Sequence, residues 1–385
     1  MTRRTLGSVA SLVAMCFALS AAQAQQPPQQ AISYRDGKLS YRTDDRGDRV
    51  PDFSYCGYRA GEADIPNAPV RVVVPPAKEF QTERIQAAID YVAGLNPDEN
   101  GIRGAVLLEK GRFEIGGTIH IRQSGVVLRG SGPQTILEAT GKDRRPLIVI
   151  GGRDDRALAL PIDIVDDYVP VNARRLRVAP GADLKVGDAV LVRRPSTAEW
   201  IKAMRMDDMG GDRHGFSWRA GSRDLVWDRT IAAVDGDIIT LDAPLTCSIE
   251  KQFGGGTLRK YDWPGRISNV GVENLACVSV FDQENPKDEE HSWFGIVIDN
   301  TRDAWVRQVT FRHFAGGAVC AWENATRITV EHCKYLQPVS EIGGGRRRAF
   351  FTAGQLNLFA QCHSENATHD FSVGFCAAGP NAFVQ

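Results

Sequence analysis

The sequence predicts an all-β solenoid, a parallel β-helix, and three observations carry that prediction. Beyond residue 100 the apolar runs are short and end in turn residues, mostly glycine, as in GAVLLEKG, TIHIRQSG, GVVLRGSG and QTILEAT. Similar segments return at nearly constant intervals. Val106 to Val127 is 21 residues, Phe311 to Cys333 is 22, Phe359 to Phe383 is 24, and Cys333 to Cys362 is a longer 29. A period near 22 with variable turns marks a solenoid, whose coils bury their inward side chains only on neighbouring coils. Finally, 38 of 385 residues are glycine, which favours many turns over long helices.

The elements follow in order. Arg3 and Arg4 precede a mostly apolar run over residues 6–22, and Ala22-Gln23-Ala24 is a small-x-small site. Residues 1–24 therefore read as a signal peptide cut after Ala24, and the chain as periplasmic or secreted. Cleavage leaves 385 − 24 = 361 residues and a charge of 44 − 47 = −3. No later apolar stretch approaches the roughly 20 residues of a membrane span, so no membrane insertion is expected after cleavage. With 46 basic against 47 acidic residues, the chain lacks the basic excess of a nucleic-acid partner. Seven cysteines remain beyond the signal, with no zinc spacing, and read as small buried hydrophobes.

Residues 25–50, opening on QQPPQQ, read as a polar linker. In residues 51–156, VRVVV from Val70 is a strand. Residues 82–94 form a helix with Ile85, Ala88, Ile89 and Val92 on one face and Gly94 as its stop. The first coils follow. Residues 157–262 break the rhythm. LKVGDAVLVRRP and IAAVDGDIITLDAPL read as strands of an inserted β subdomain, with a hairpin turn at Asp235-Gly236. Residues 263–385 return to coils. Asn274, Asn300 and Asn324 recur there at intervals of 26 and 24 and read as stacked turn residues. The closing GPNAFVQ matches a coil only as far as Gln361, so the expectation is a solenoid cut short within a coil.

TERIQAAIDYVAG followed by RGAVLLEKGRFEIGGTIHIRQSGVVLRGSG resembles the start of pectate-lyase-like right-handed parallel β-helix proteins. DFSYCGYRAGE, VLVRRPSTAEW, GGGTLRKYDWPGRISNVGVENL, DEEHSW, GRRRAFF, GQLNLFAQC and HDFSVG are similar to an exported bacterial group within that superfamily, over about residues 52–385. The resemblance implies a right-handed helix capped at its open end by the N-terminal α-helix. It also implies a polysaccharide as partner, and it transfers no catalytic residue.

A lyase acting on a uronate-containing glycan by β-elimination needs a base near the C5 proton and positive charge at the carboxylate. The run Arg346, Arg347, Arg348 supplies guanidinium forks in the longest turn, with Arg347 assigned to neutralise the carboxylate. His369, followed by Asp370, is the expected base. Glu290 and His291, in FDQENPKDEEHSW, are expected to line the site, where Ca2+ would bridge the acidic loop to a polyanion. The alternative enzyme is a glycoside hydrolase using two carboxyls from Glu290, Glu341, Glu365 and Asp370. The third reading is a non-catalytic glycan-binding or surface protein, with Trp293, Trp305 and Trp322 as platforms.

Overall fold

The structure, a computed structural model, describes residues 31–79, 81–208 and 217–385. The expected signal peptide, Met209 and His214 lie outside the described residues. Residues 31–42 belong to a unit of their own, an antiparallel hairpin of Ile32–Arg35 with Lys38–Tyr41. Its polar composition argued for a linker, but Asp36-Gly37 takes positive φ at both positions, the two-residue turn that closes hairpins.

The second unit is a right-handed parallel β-helix with three sheets. Coil 1 runs through Gly104–Leu108, Gly111–Ile115 and Ile119–Ile121, one strand for each of sheets 1, 2 and 3. Coil 2 repeats this over residues 126–151. Coils 3 to 6 occupy residues 267–299, 301–321, 325–352 and 358–373, and Ala382–Val384 adds a further sheet 1 strand. Interior positions stack in register. Leu137, Cys277, Phe311 and Tyr335 form one column, while Phe359 stacks on Phe383 with centroids 4.9 Å apart.

Two spacings slip by a residue or more. Val106 pairs with Leu128, not Val127, and Phe311 pairs with Tyr335, not Cys333. Because side chains alternate in a strand, the one-residue slip changes the face, whereas the two-residue slip leaves Cys333 inside. Val127 therefore lies outside, packed with Tyr58 and Trp305 under the segment before coil 1. Asn324 does donate to Asn300 at 3.0 Å at the corner from sheet 3 to sheet 1. Asn274 belongs to another corner, between sheets 1 and 2, where it donates to Gly130 O at 3.1 Å.

The helix Gln81–Ala93 covers the first coil, burying Ile85, Ala88, Ile89 and Val92. Its Gln86 side chain donates to His120 O at 3.0 Å and accepts from His120 N at 2.9 Å. That closes part of an edge that would otherwise invite strand addition. The seven cysteines among the described residues are free; five are buried, Cys247 is half-buried and Cys376 exposed.

The insertion leaves the helix after coil 2 and returns at coil 3. It builds an antiparallel sheet in which Ala189–Arg194 pairs with both Leu225–Asp235 and Gly256–Asp262. Asp235 pairs with Ile238, so its hairpin turns at Gly236-Asp237, one residue later than expected. The insertion is clamped to the later coils by Arg229. All five guanidinium N–H groups donate: Nε to Ala243 O, Nη1 to Asp228 O and Gln355 Oε1, Nη2 to Pro244 O and Gly379 O.

Candidate functional site

The outward surface of sheet 3 carries apolar and aromatic side chains. Val297, Cys320, Phe351 and Ser372 lie in register on coils 3 to 6. Trp322 meets Phe351 at 5.6 Å and Phe375 at 5.9 Å, and Phe351 meets Phe375 at 5.9 Å. An aromatic strip on a solenoid surface is not needed for the core, which lies on the other side of the sheet.

The clamped insertion stands at one end of this strip and encloses a cleft of about 520 Å³, with Asp154, Asp228, Trp263, Glu323 and Phe375 in its walls. Most charges there are neutralised. Asp154 binds Arg156 through two contacts of 2.7 Å. Asp228 accepts from Tyr261 Oη and Arg266 Nη1, each at 2.6 Å. Burial pushes the Asp228 carboxyl up, yet Arg266 and Arg302 hold it below its ordinary value. Arg156 and Arg266 lie over the Trp263 ring at 4.4 and 4.7 Å.

Two carboxyls differ. Glu323 is exposed in the cleft and has no ion pair or hydrogen bond among the described residues. Asp299 ends the sheet 3 strand of coil 3, one coil before Asn324, whose N–H it accepts at 3.2 Å. Burial pushes the Asp299 carboxyl above its ordinary value. Backbone N–H groups of Asn300 and Asn324 oppose the rise, while the charges of Glu323 and Asp154 add to it. A carboxyl raised by burial near a second, exposed carboxyl is the kind of paired environment that separates an acid from a base.

The other end of the strip holds a second cavity of about 230 Å³, walled by Arg348, Phe351, His369, Ser372 and Phe375. Phe375 borders both cavities, so the two adjoin at that ring, and together they are called the groove.

The structure brings the expected lyase residues into one neighbourhood but gives them different tasks. His369 N donates to Arg347 O at 3.2 Å, and His369 pairs with Arg348 across coils 5 and 6. Arg347 spends its guanidinium on Ser340, with Nη2 2.6 Å from Ser340 O. Arg346 is held by Glu289 at 3.1 Å, and this guanidinium keeps Glu289 below the usual carboxylate range. His291 is 1% exposed. Its Nε2 faces the carbonyls of Asp288 and Val339, each at 3.1 Å, and must donate there, so Nδ1 accepts from Ser279 Oγ at 2.8 Å. His291 is thus a strut of the loop with no nitrogen left for a substrate. Glu290 points out, its side chain 72% exposed, 3.5 Å from Arg144. Asp370 is exposed beside His369.

The alternative residues scatter. Glu341 pairs with Lys287 at 3.2 Å and Glu365 with His363 at 3.0 Å. Trp305 is buried with its N–H on Glu273 at 3.0 Å, and only Trp322 of the three expected platforms reaches the groove. Among the described residues no group of three or more His, Cys, Asp or Glu is arranged to hold a metal ion. In the acidic loop, Asp288 accepts from the backbone N–H groups of Asp282 and Glu290, so that carboxyl ties the loop together.

Sequence reasoning missed Asp154, Asp299 and Glu323. A signal existed for two of them: Asp299-Asn300 and Glu323-Asn324 each place an acid directly before a stacked corner asparagine. Asp154 carries no such mark, because only the returning insertion brings it to the cleft.

No protein-family model and no curated protein sequence matches the chain. Solved structures do. The HK620 tailspike of E. coli bacteriophage is 11% identical with a TM-score of 0.36, over 80% of this chain and 41% of that one. The gp54 tailspike of Acinetobacter baumannii bacteriophage AP22, in complex with capsular saccharide, is 9% identical with a TM-score of 0.28, over 78% and 55%. A protein described as a glycoside hydrolase is 9% identical with a TM-score of 0.27, over 76% and 77%. The chain spans about half the length of the tailspikes it matches.

Proposed function

We propose that this chain is an exported glycan-acting protein that hydrolyses a polysaccharide lying along the outer surface of sheet 3. The observation that carries the reading is the groove itself. It combines the rings of Trp322 and Phe375, packed on the buried Phe351, with an unpaired Glu323 in the cleft wall and a half-buried Asp299 close enough to feel the Glu323 charge. Aromatic faces bind the C–H faces of sugar rings, and paired carboxyls are what glycosidic hydrolysis needs.

In this reading Asp299 gives its proton to the bridging oxygen as the bond to the anomeric carbon breaks. Glu323 takes a proton from the attacking water, whose oxygen bonds to that carbon. The products are a new reducing end and a free alcohol. The test is reducing-end release from a panel of bacterial and plant polysaccharides. Asp299→Asn and Glu323→Gln should each lower it at least about 100-fold, the usual scale of losing a general acid or base. Full activity in both variants refutes the assignment.

One observation favours a second reading, elimination: His369 and Arg348 are register partners in the same cavity. Product absorbance from a new C=C bond, lost in His369→Ala and kept in Asp299→Asn, would select it over hydrolysis.

A further inference from the structure

We propose that the cavity at the Arg348 end of the groove is a subsite for an anionic substituent, a carboxylate or sulfate ester carried by one sugar ring of the bound chain. The proposal rests on the reading that a glycan lies along sheet 3, but not on hydrolysis at Asp299.

The argument begins with three consecutive arginines that end in three different situations. Arg346 is neutralised by Glu289, and Arg347 is used up on Ser340. Arg348 makes no ion pair and no side-chain hydrogen bond among the described residues, although it lies within a sheet 3 strand. Its Nε is enclosed and has no partner. Its guanidinium sits 5.3 Å from the centre of the Phe351 ring. A half-buried cation without a counter-charge is costly, and most such groups in proteins are paired.

The surroundings of Arg348 repeat the pattern. The enclosed hydroxyls Ser372 Oγ and Thr368 Oγ1 also lack partners, and Ser372 and His369 line the same cavity. Arg348 and Ser372, both unpartnered and both lining the cavity beside His369, with no carboxylate among the cavity-lining residues, fit an acceptor-rich anion. The guanidinium fork matches two oxygens of a carboxylate or sulfate at once. The Ser372 hydroxyl and the His369 imidazole offer further donors, while the exposed Phe375 presents its ring to the sugar. The cavity's volume of about 230 Å³ is on the scale of one substituted ring, not a whole oligosaccharide.

Position adds a consequence. Phe375 joins this cavity to the carboxyl cleft, so an anionic ring seated at Arg348 would set the register of the chain relative to Asp299 and Glu323. The acidic substituent would therefore decide which bond is presented for cleavage.

The test is calorimetric binding to the intact protein, which needs no turnover. The probes are a glucuronic-acid oligosaccharide, its carboxyl-reduced neutral counterpart, and sulfated against plain dextran. Arg348→Gln should weaken an anionic probe about 10- to 100-fold, the scale of losing hydrogen bonds to a charged group. The neutral probes should change less than about 3-fold. Ser372→Ala, too small a change to unfold a coil, should weaken the same anionic probe about 3- to 10-fold. Selective loss on the uronate or on the sulfated dextran identifies the anion and supports the subsite. Equal loss on charged and neutral probes, or no preference of the unaltered protein for either anionic probe, overturns it. An Asp299→Asn protein that keeps full activity and still shows the anionic preference sinks the hydrolytic reading and leaves the subsite standing, whereas an inactive one without the preference does the reverse.

Discussion

Replacing Arg229 by methionine tests whether the groove depends on a single buried clamp. Arg229 is 1% exposed, and its five N–H groups donate to acceptors between 2.7 and 3.1 Å away. Burial pushes its pKa down to about 10, with Asp242 and Asp228 opposing, so it remains charged at neutral pH. Methionine keeps the apolar stem and removes every donor. Gln355 Oε1 still accepts from Asp228 N at 3.0 Å, but the carbonyls of Ala243, Pro244 and Gly379 lose this donor.

Each buried carbonyl left alone costs about 1–3 kcal/mol, and breaking a buried charged network by removing one member costs about 3–5 kcal/mol. Three carbonyls at the low end give about 3 kcal/mol, which is the expected loss by urea denaturation. Lysine, with three donors for five positions, should recover only part of it. Hydrogen exchange should accelerate around residues 226–230 and 377–380, the two segments joined by the clamp. If Arg229→Met costs under about 1 kcal/mol and exchange is unchanged, the insertion is held some other way and the walled groove loses its structural basis.

Two further outcomes follow from the same contacts. The raised Asp299 carboxyl binds its proton more tightly folded than unfolded, so its contribution is fully present below the unfolded pKa and is lost as pH rises through the folded one. Asp299→Asn should therefore be more stable than the unaltered protein at pH 7 while losing activity, and the stability gain should vanish as pH falls; a variant less stable at pH 7 refutes the burial argument. Gly271→Ala would set a Cβ about 2.2 Å from Trp305 Cε2 in the outer layer beneath residues 56–68, and should cost about 1–3 kcal/mol by urea denaturation, whereas Gly116→Ala, whose nearest neighbour is 3.9 Å away, should be neutral. Equal behaviour of the two glycine variants would show that the outer layer yields without cost.

The parts of the fold that could be read from sequence are those set by local repetition. Each coil places inward side chains at nearly fixed intervals, so Phe359 over Phe383 and Cys333 near Cys362 were visible as spacings. The same logic fails by one residue wherever a turn varies, because period-two alternation then exchanges inside for outside. Val127 is the example: it reads as core, but belongs to the outer layer with Trp305. The helix was legible because its apolar face repeats at the helical period and nothing distant is needed to form it.

The site obeys different rules. Its members come from residues 154, 299, 323, 348 and 369, and no local period ties the start of an insertion to corners one and two coils later. Composition could locate an arginine run, but not which arginine is free. That depends on Glu289 and Ser340 arriving from elsewhere to engage the first two. The difference is one of available partners. Arg346 and Arg347 meet acceptors supplied by the turns around them, whereas Arg348 lies inside a strand whose neighbours are an aromatic ring, a hydroxyl and a histidine. A charge that folding leaves unmatched in a groove is a better guide to a ligand than a charge run in a sequence, because most charge runs are satisfied by the chain itself.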